Sequence, residues 1–87
     1  MEYEVFLAPT AEKGLNAVPR KFRVRILDAL EGLRVDPRPR GTRKLKGTDD
    51  LWRLRVGQYR VIYTIRDAEL TVLVVRVAHR KDSYKGL

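Results

Sequence analysis

Between Trp52 and Ile65 the chain alternates residue by residue on either side of a glycine, a pattern that fits strands and not a helix. Trp52, Leu54 and Val56 fall on one side and Arg53 and Arg55 on the other, the period of two that belongs to an extended backbone. Gly57-Gln58 suits a two-residue hairpin loop with glycine at the first central position, the type II′ preference, and Tyr59 to Ile65 returns as the partner strand. Counting outward from that loop pairs Val56 with Tyr59, Arg55 with Arg60, Leu54 with Val61 and Trp52 with Tyr63. One face then gathers Trp52, Leu54, Val56, Tyr59, Val61, Tyr63 and Ile65, which can bury against other elements. The opposite face presents Arg53, Arg55 and Arg60. Arg55 directly across from Arg60 is a like-charge pairing that destabilises a bare sheet and that an anion would relieve.

The remaining elements are arranged around this hairpin. Tyr3 to Leu7 reads as a short strand, ended by Ala8-Pro9, where proline suits the first turn of a helix. Ala11, Leu15 and Val18 form a narrow apolar stripe on that helix, weakened by Gly14. Pro19 opens a second helix, with Phe22, Ile26, Leu30 and Leu33 along one side. Asp36-Pro37 stops it, because proline disfavours helical geometry in the residue before it. The stretch PRPRGTRKLKGTDD then reads as an exposed basic loop. A last strand, Leu70 to Val77, completes a meander. A three-residue loop, Asp67 to Glu69, keeps Arg76 out of the core. That register turns Leu73, Val75 and Val77 inward and Val72, Val74, Arg76 and, with continued extension, Arg80 onto the arginine face. The expected fold is α+β: an N-terminal strand, an antiparallel helix hairpin and a three-stranded antiparallel meander, with the helices on one face of a four-stranded sheet. No repeat or linker interrupts it, so residues 1–87 are expected to form one domain.

Charge narrows the function. Nineteen Lys and Arg against eleven Asp and Glu give a net +8. Residues 1–37 hold six bases (Lys13, Arg20, Lys21, Arg23, Arg25, Arg34) and six acids (Glu2, Glu4, Glu12, Asp28, Glu31, Asp36), which cancel. The whole excess therefore lies in residues 38–87, as expected where one surface meets a polyanion. With no cysteine, neither disulfides nor thiolate metal sites can reinforce the fold. The first residues lack the basic start and long apolar run of a signal peptide. The most apolar run, Leu70 to Val77, is strand-sized and contains Arg76. A cytoplasmic protein without membrane contact is expected. The plainer reading of the arginines is that each is a solvated charge on an open sheet face. Their clustering favours phosphate binding, since each planar guanidinium can donate paired hydrogen bonds to phosphate oxygens.

The run KLKGTDDLWRLRVGQYRVIYTI followed by VLVVRVAHRKDSYKGL resembles the RelE family of toxins, within the RelE/ParE superfamily of type II toxin–antitoxin systems. The resemblance spans the chain and is densest from Lys44 to Tyr84. It implies an mRNA interferase: a metal-independent, cofactor-free, ribosome-dependent endoribonuclease that inhibits translation, using the 2′-hydroxyl as nucleophile. A RelB-like antitoxin would silence it, with an extended or helical segment lying across the toxin, and the neutral helix hairpin offers such a surface. Arg53, Arg55, Arg60, Arg80 and Tyr84 match the family's site positions, and the four arginines are the ones the strand pattern already gathers. Lys44 and Lys46 resemble basic-loop residues that hold RNA backbone, a role extended to Arg76 and Lys81. The sequence departs from the best-known pattern at Arg53 and Arg55, where lysines stand. Arginine stays protonated, so neither can readily act as the general base, although both can stabilise a phosphorane. His79 is the candidate for that proton transfer, histidine being the side chain that titrates near neutrality. Its strand parity, opposite to Arg80, favours instead a partly exposed strand-end histidine. Tyr84 can stack on a base or donate a proton. Two other readings are a ParE-like DNA gyrase inhibitor and a non-catalytic relative that only binds nucleic acid or the ribosome.

Overall fold

A computed structural model describes residues 2–47 and 50–82. Strand β1 (Glu4–Leu7) leads into helix α1 (Pro9–Ala17) and helix α2 (Arg20–Val35). Strands β2 (Thr42–Lys44), β3 (Trp52–Val56), β4 (Tyr59–Arg66) and β5 (Thr71–His79) follow. They form one five-stranded sheet in the order β1-β5-β4-β3-β2. Every pairing is antiparallel except β1 with β5, which is parallel. Among the described residues, no helix is long and apolar enough to cross a membrane.

The helices begin and end for local reasons. Pro9 stands in the first turn of α1, where its missing N–H costs nothing. The far end of α1 is capped from outside: the Arg23 guanidinium donates to the carbonyls of Asn16 and Val18 at 3.3 and 3.0 Å, satisfying acceptors a helix end leaves open. Asp36 is extended, as its position before Pro37 requires. Its carboxylate accepts the Arg38 backbone N–H at 3.0 Å and turns the chain toward the sheet. Both helices rest on the same sheet face, each against the sheet more than against the other. The core joins Ala11, Leu15 and Val18 of α1 and Ile26, Leu30 and Leu33 of α2 to Leu54, Val61, Tyr63, Val72, Val74 and Val77 of the sheet. At Gly14 the approach is so close that an added Cβ would run into the Val77 carbonyl.

The β3–β4 hairpin has the predicted register, Val56 with Tyr59 through Trp52 with Tyr63. Gly57 has φ 59 while Gln58 is not among the positive-φ residues, the combination a type II′ loop needs. The Asp67–Glu69 connection also appears where expected, as a 3-10 turn.

Two expectations are corrected. The sheet has five strands and not four, because Thr42–Lys44, read as loop, pairs with the outer edge of β3. In β5, Leu73 and Val75 do not join Val77 in the core. Val72 and Val74 do, both fully buried, while Leu73 is exposed. The cause is a β-bulge: Tyr63 pairs with Val74 but the adjacent Ile62 pairs with Arg76, leaving Val75 as the extra residue. One inserted residue reverses strand parity, so Val72 and Val74 point to the helices and Arg76 still points away. Thr10 ties α1 to this bulge by donating its hydroxyl to the Val75 carbonyl at 2.9 Å.

A clamp closes the end of the molecule away from the hairpin loop. Asp67 accepts the Tyr3 hydroxyl at 2.6 Å and both terminal nitrogens of Arg38 at 3.1 and 2.8 Å. Arg38 also lies over the Trp52 ring, 5.0 Å from its centroid. The Arg38 hydrogen bonds, helped by the one from Tyr3, hold the Asp67 carboxyl at about 2 against its ordinary 3.8. A carboxyl depressed in the folded state stabilises the fold above its unfolded value and stops doing so as it becomes protonated. The contribution should therefore be complete above about pH 4 and vanish as the pH falls toward 2. With the pair exposed, added salt should shrink it. Acid unfolding followed by circular dichroism should show Asp67→Asn losing that part of the pH dependence. An identical slope between pH 4 and 2 in both proteins would rule the clamp out as its source.

Candidate functional site

The face of the sheet turned away from the helices carries the arginines. Residues paired across neighbouring strands share a face, so the registers assign each one. One row runs Arg43–Arg53–Ile62–Arg76 across β2, β3, β4 and β5. The next runs Arg55–Arg60–Ala78 across β3, β4 and β5. Arg80 lies two residues past Ala78, and its backbone N–H donates to the Gln58 carbonyl at 2.8 Å, fastening it beside the hairpin loop. Arg53, Arg55, Arg60 and Arg76 are thus brought together by three adjacent strands, as the sequence pattern anticipates. The bulge lets Arg76 take this face while Val72 and Val74 stay in the core.

The corner of this face at Arg43, Arg53 and Arg55 is set off from the described carboxylates. Among the described residues, ion pairs join Arg34 to Glu2 and Glu31, and Arg38 to Asp67. Arg43, Arg53 and Arg55 take part in none of them. These three, with Gly41, line a depression of about 380 Å³ at the β2–β3 corner. Ile62, in the middle of the first row, is fully buried but stands apart from the main core cluster. The arginine row therefore has an apolar floor.

The other sequence-derived candidates lie elsewhere. His79 pairs with Tyr59 and shares its face, the one that meets the helices. Its ring sits edge-on to Tyr59 with centroids 5.7 Å apart. Its Nδ1 accepts the Lys81 backbone N–H at 3.3 Å, which leaves the proton on Nε2. So placed, the imidazole is a donor at a strand end and does not join the arginines. Lys44 pairs with Trp52 and faces the helix side, its Nζ 6.0 Å from the Trp52 ring centroid. Lys46 is exposed in the turn after β2, and Lys81 is exposed in the turn after β5. Tyr84 lies outside the described residues. Arg43 is the residue the sequence reading missed: it sits one position from Lys44 but on the opposite face. Only the pairing of β2 with β3 reveals it.

The β2 corner is held by a buried phenol. Tyr63 is fully buried, donates to the Pro37 carbonyl at 2.8 Å and meets the Thr42 hydroxyl at 3.2 Å. Burial pushes its pKa up, which keeps the proton it donates. The connector from α2 is thereby fixed to the sheet just before Arg43.

A family model described as the ParE toxin of the parDE type II toxin–antitoxin system matches residues 5–84. The toxin RelG of Mycobacterium tuberculosis is 34% identical, over 98% of this chain and 99% of that one. Among solved structures, the archaeal RelE–RelB complex from Pyrococcus horikoshii superimposes with a TM-score of 0.80 at 32% identity, covering 92% of this chain and 97% of that one. The toxin–antitoxin complex RelBE2 from Mycobacterium tuberculosis gives 0.82 at 28% identity, covering 92% and 100%. Matching across nearly the full length in sequence and in fold, the chain belongs to the RelE/ParE family of toxins of type II toxin–antitoxin systems.

Proposed function

We propose that this toxin cuts mRNA held in the ribosome, and so stops translation in the cytoplasm until a RelB-like antitoxin covers it. The observation that carries this reading is the convergence of Arg53, Arg55, Arg60 and Arg76 on the outward sheet face. Cleavage of this kind transfers the 2′-hydroxyl oxygen onto the neighbouring phosphorus and expels the 5′-oxygen. The products are a 2′,3′-cyclic phosphate and a free 5′-hydroxyl. The phosphorane on the way carries an extra negative charge, and fixed guanidinium donors stabilise it more than the ground state. Arg60 and Arg80, beside the hairpin loop, are assigned to that charge, with Arg53 and Arg55 alongside. The arginines cannot accept the 2′-proton. His79, facing the helices with Nδ1 occupied, would have to leave Tyr59 to do so, and Tyr84 is the other proton-moving candidate. The RelB partner is supported by the solved relatives, which were determined as RelE–RelB complexes.

Replacing Arg60 or Arg80 by alanine should lower cleavage of translated mRNA by about 100-fold or more, the scale on which one oxyanion donor acts. Primer extension on the translated message reads this, and thermal unfolding should show each variant still folded. Cleavage at the wild-type rate in both variants would count decisively against the reading. The family model takes its description from ParE, so a gyrase supercoiling assay on the same preparation belongs beside it. Inhibition there without mRNA cleavage would replace the proposed activity.

A further inference from the structure

We propose that the β2–β3 corner is a second phosphate subsite, which holds the phosphodiester next to the one being cut, and that Arg43 belongs to it alone. The inference rests on the RNA-cutting reading above and extends it. Three guanidinium groups, those of Arg43, Arg53 and Arg55, line the depression of about 380 Å³ together with Gly41. Gly41 has φ 94 and nothing within 4 Å of where a side chain would start, so the backbone turns tightly there and leaves room for a ligand. Among the described residues no carboxylate is ion-paired with Arg43, Arg53 or Arg55.

The subsite is also held in place. Thr42 donates its backbone N–H to the Pro39 carbonyl at 3.0 Å, and its hydroxyl meets Tyr63 at 3.2 Å. On the other side of Arg43, the Leu45 N–H donates to the Leu51 carbonyl at 2.9 Å. A strand of three residues is thus pinned at both ends, so the backbone that carries the arginine between them is in place before an anion arrives. The lining separates it from the phosphate being cut. Arg43, on β2, lies two strand spacings, about 10 Å, from the strand that carries Arg60, and neither Arg60 nor Arg80 lines the depression. Arg53 and Arg55 fall between the two positions, while Arg60 and Arg80 lie toward the cutting end.

The test uses the full chain and a hexauridylate carrying 2′-O-methyl groups, which cannot be cut through its 2′ position. Fluorescence anisotropy over a range of salt gives the affinity and its salt slope. Arg43→Ala should weaken binding about tenfold, the scale of one lost charge-assisted hydrogen bond. It should reduce the slope by about 0.7, one phosphate contact on a single strand. Arg43→Lys should keep the slope and recover part of the affinity, since the charge survives without the paired donors. Arg20→Ala, on the helix side, should match the wild type. No binding by the wild type, or an unchanged slope in Arg43→Ala, overturns the subsite. The two readings fail separately. If Arg60→Ala still cuts mRNA while Arg43→Ala loses slope, the placement of Arg60 at the phosphate being cut is wrong and the subsite stands. If Arg60→Ala abolishes cutting and Arg43→Ala changes nothing, only the subsite falls.

Discussion

Gly14→Ala should unfold far more easily than the wild type, by about 3 kcal/mol, the upper range for overpacking a tight contact. Two effects oppose each other at this site. Alanine is the better helix former by about 1 kcal/mol, and in an isolated helix it would stabilise. Here the new methyl is aimed at the Val77 carbonyl, which is backbone in the strand that pairs with both β1 and β4. That strand cannot yield without breaking ladder bonds, so α1 must lift and open the contacts of Ala11 and Leu15. For a domain of this size each kcal/mol moves the midpoint by about 4–8 °C. Calorimetry or a thermal circular dichroism scan should therefore show a drop of well over ten degrees, at about 3 kcal/mol. A midpoint equal to or above that of the wild type would mean that helix propensity governs the position and that the helix–strand approach is not tight.

The second large effect is expected at Tyr63. Truncation to alanine removes an entirely buried ring and should cost about 4 kcal/mol, in the range for large aromatics in a core. The phenylalanine variant isolates the hydroxyl. It keeps the ring but leaves the Pro37 carbonyl without its donor and Thr42 without its partner, a loss of about 1–2 kcal/mol. Urea denaturation of both variants separates ring from hydroxyl. Amide exchange should rise around Thr42 in the phenylalanine variant before it rises in α1, because the connector is what the hydroxyl holds. Uniform exchange across the chain would show that Tyr63 fills space and fastens nothing.

How far the fold could be read from residues alone depended on what each segment had to distinguish it. The β3–β4 hairpin was legible because Gly57-Gln58 fixes the register and the alternation of Arg with apolar residues leaves no second choice of face. Both helices were legible from Ala11, Leu15 and Val18 and from Phe22, Ile26, Leu30 and Leu33, with prolines marking where each starts or stops. In β5 the run from Val72 to Val75 is apolar at every position, so nothing in it marks a face. The bulge at Val75 lets two requirements hold at once, Arg76 outside and Val72 and Val74 inside, where uniform alternation permits only one. Strand β2 was invisible for a different reason: Thr42–Lys44 has no apolar pattern of its own and becomes a strand by pairing with β3. Arg43 was hidden with it. The arginine face was therefore half legible, its centre from strand parity and its corner only from the pairing. The hydrogen bonds of Tyr63 and the Arg38–Asp67–Tyr3 clamp join residues far apart in sequence, which no local pattern encodes.

Because β1 lies beside β5, the sheet closes only when its last strand exists. Until then β1 has no neighbour to hydrogen-bond, α1 lacks the surface its glycine fits, and the arginine row lacks Arg76. Contacts between such distant stretches of chain make folding slow relative to a helical bundle of equal length. A ribosome making this protein would thus carry an unassembled sheet until β5 has emerged, and the arginine face would come together only with that strand.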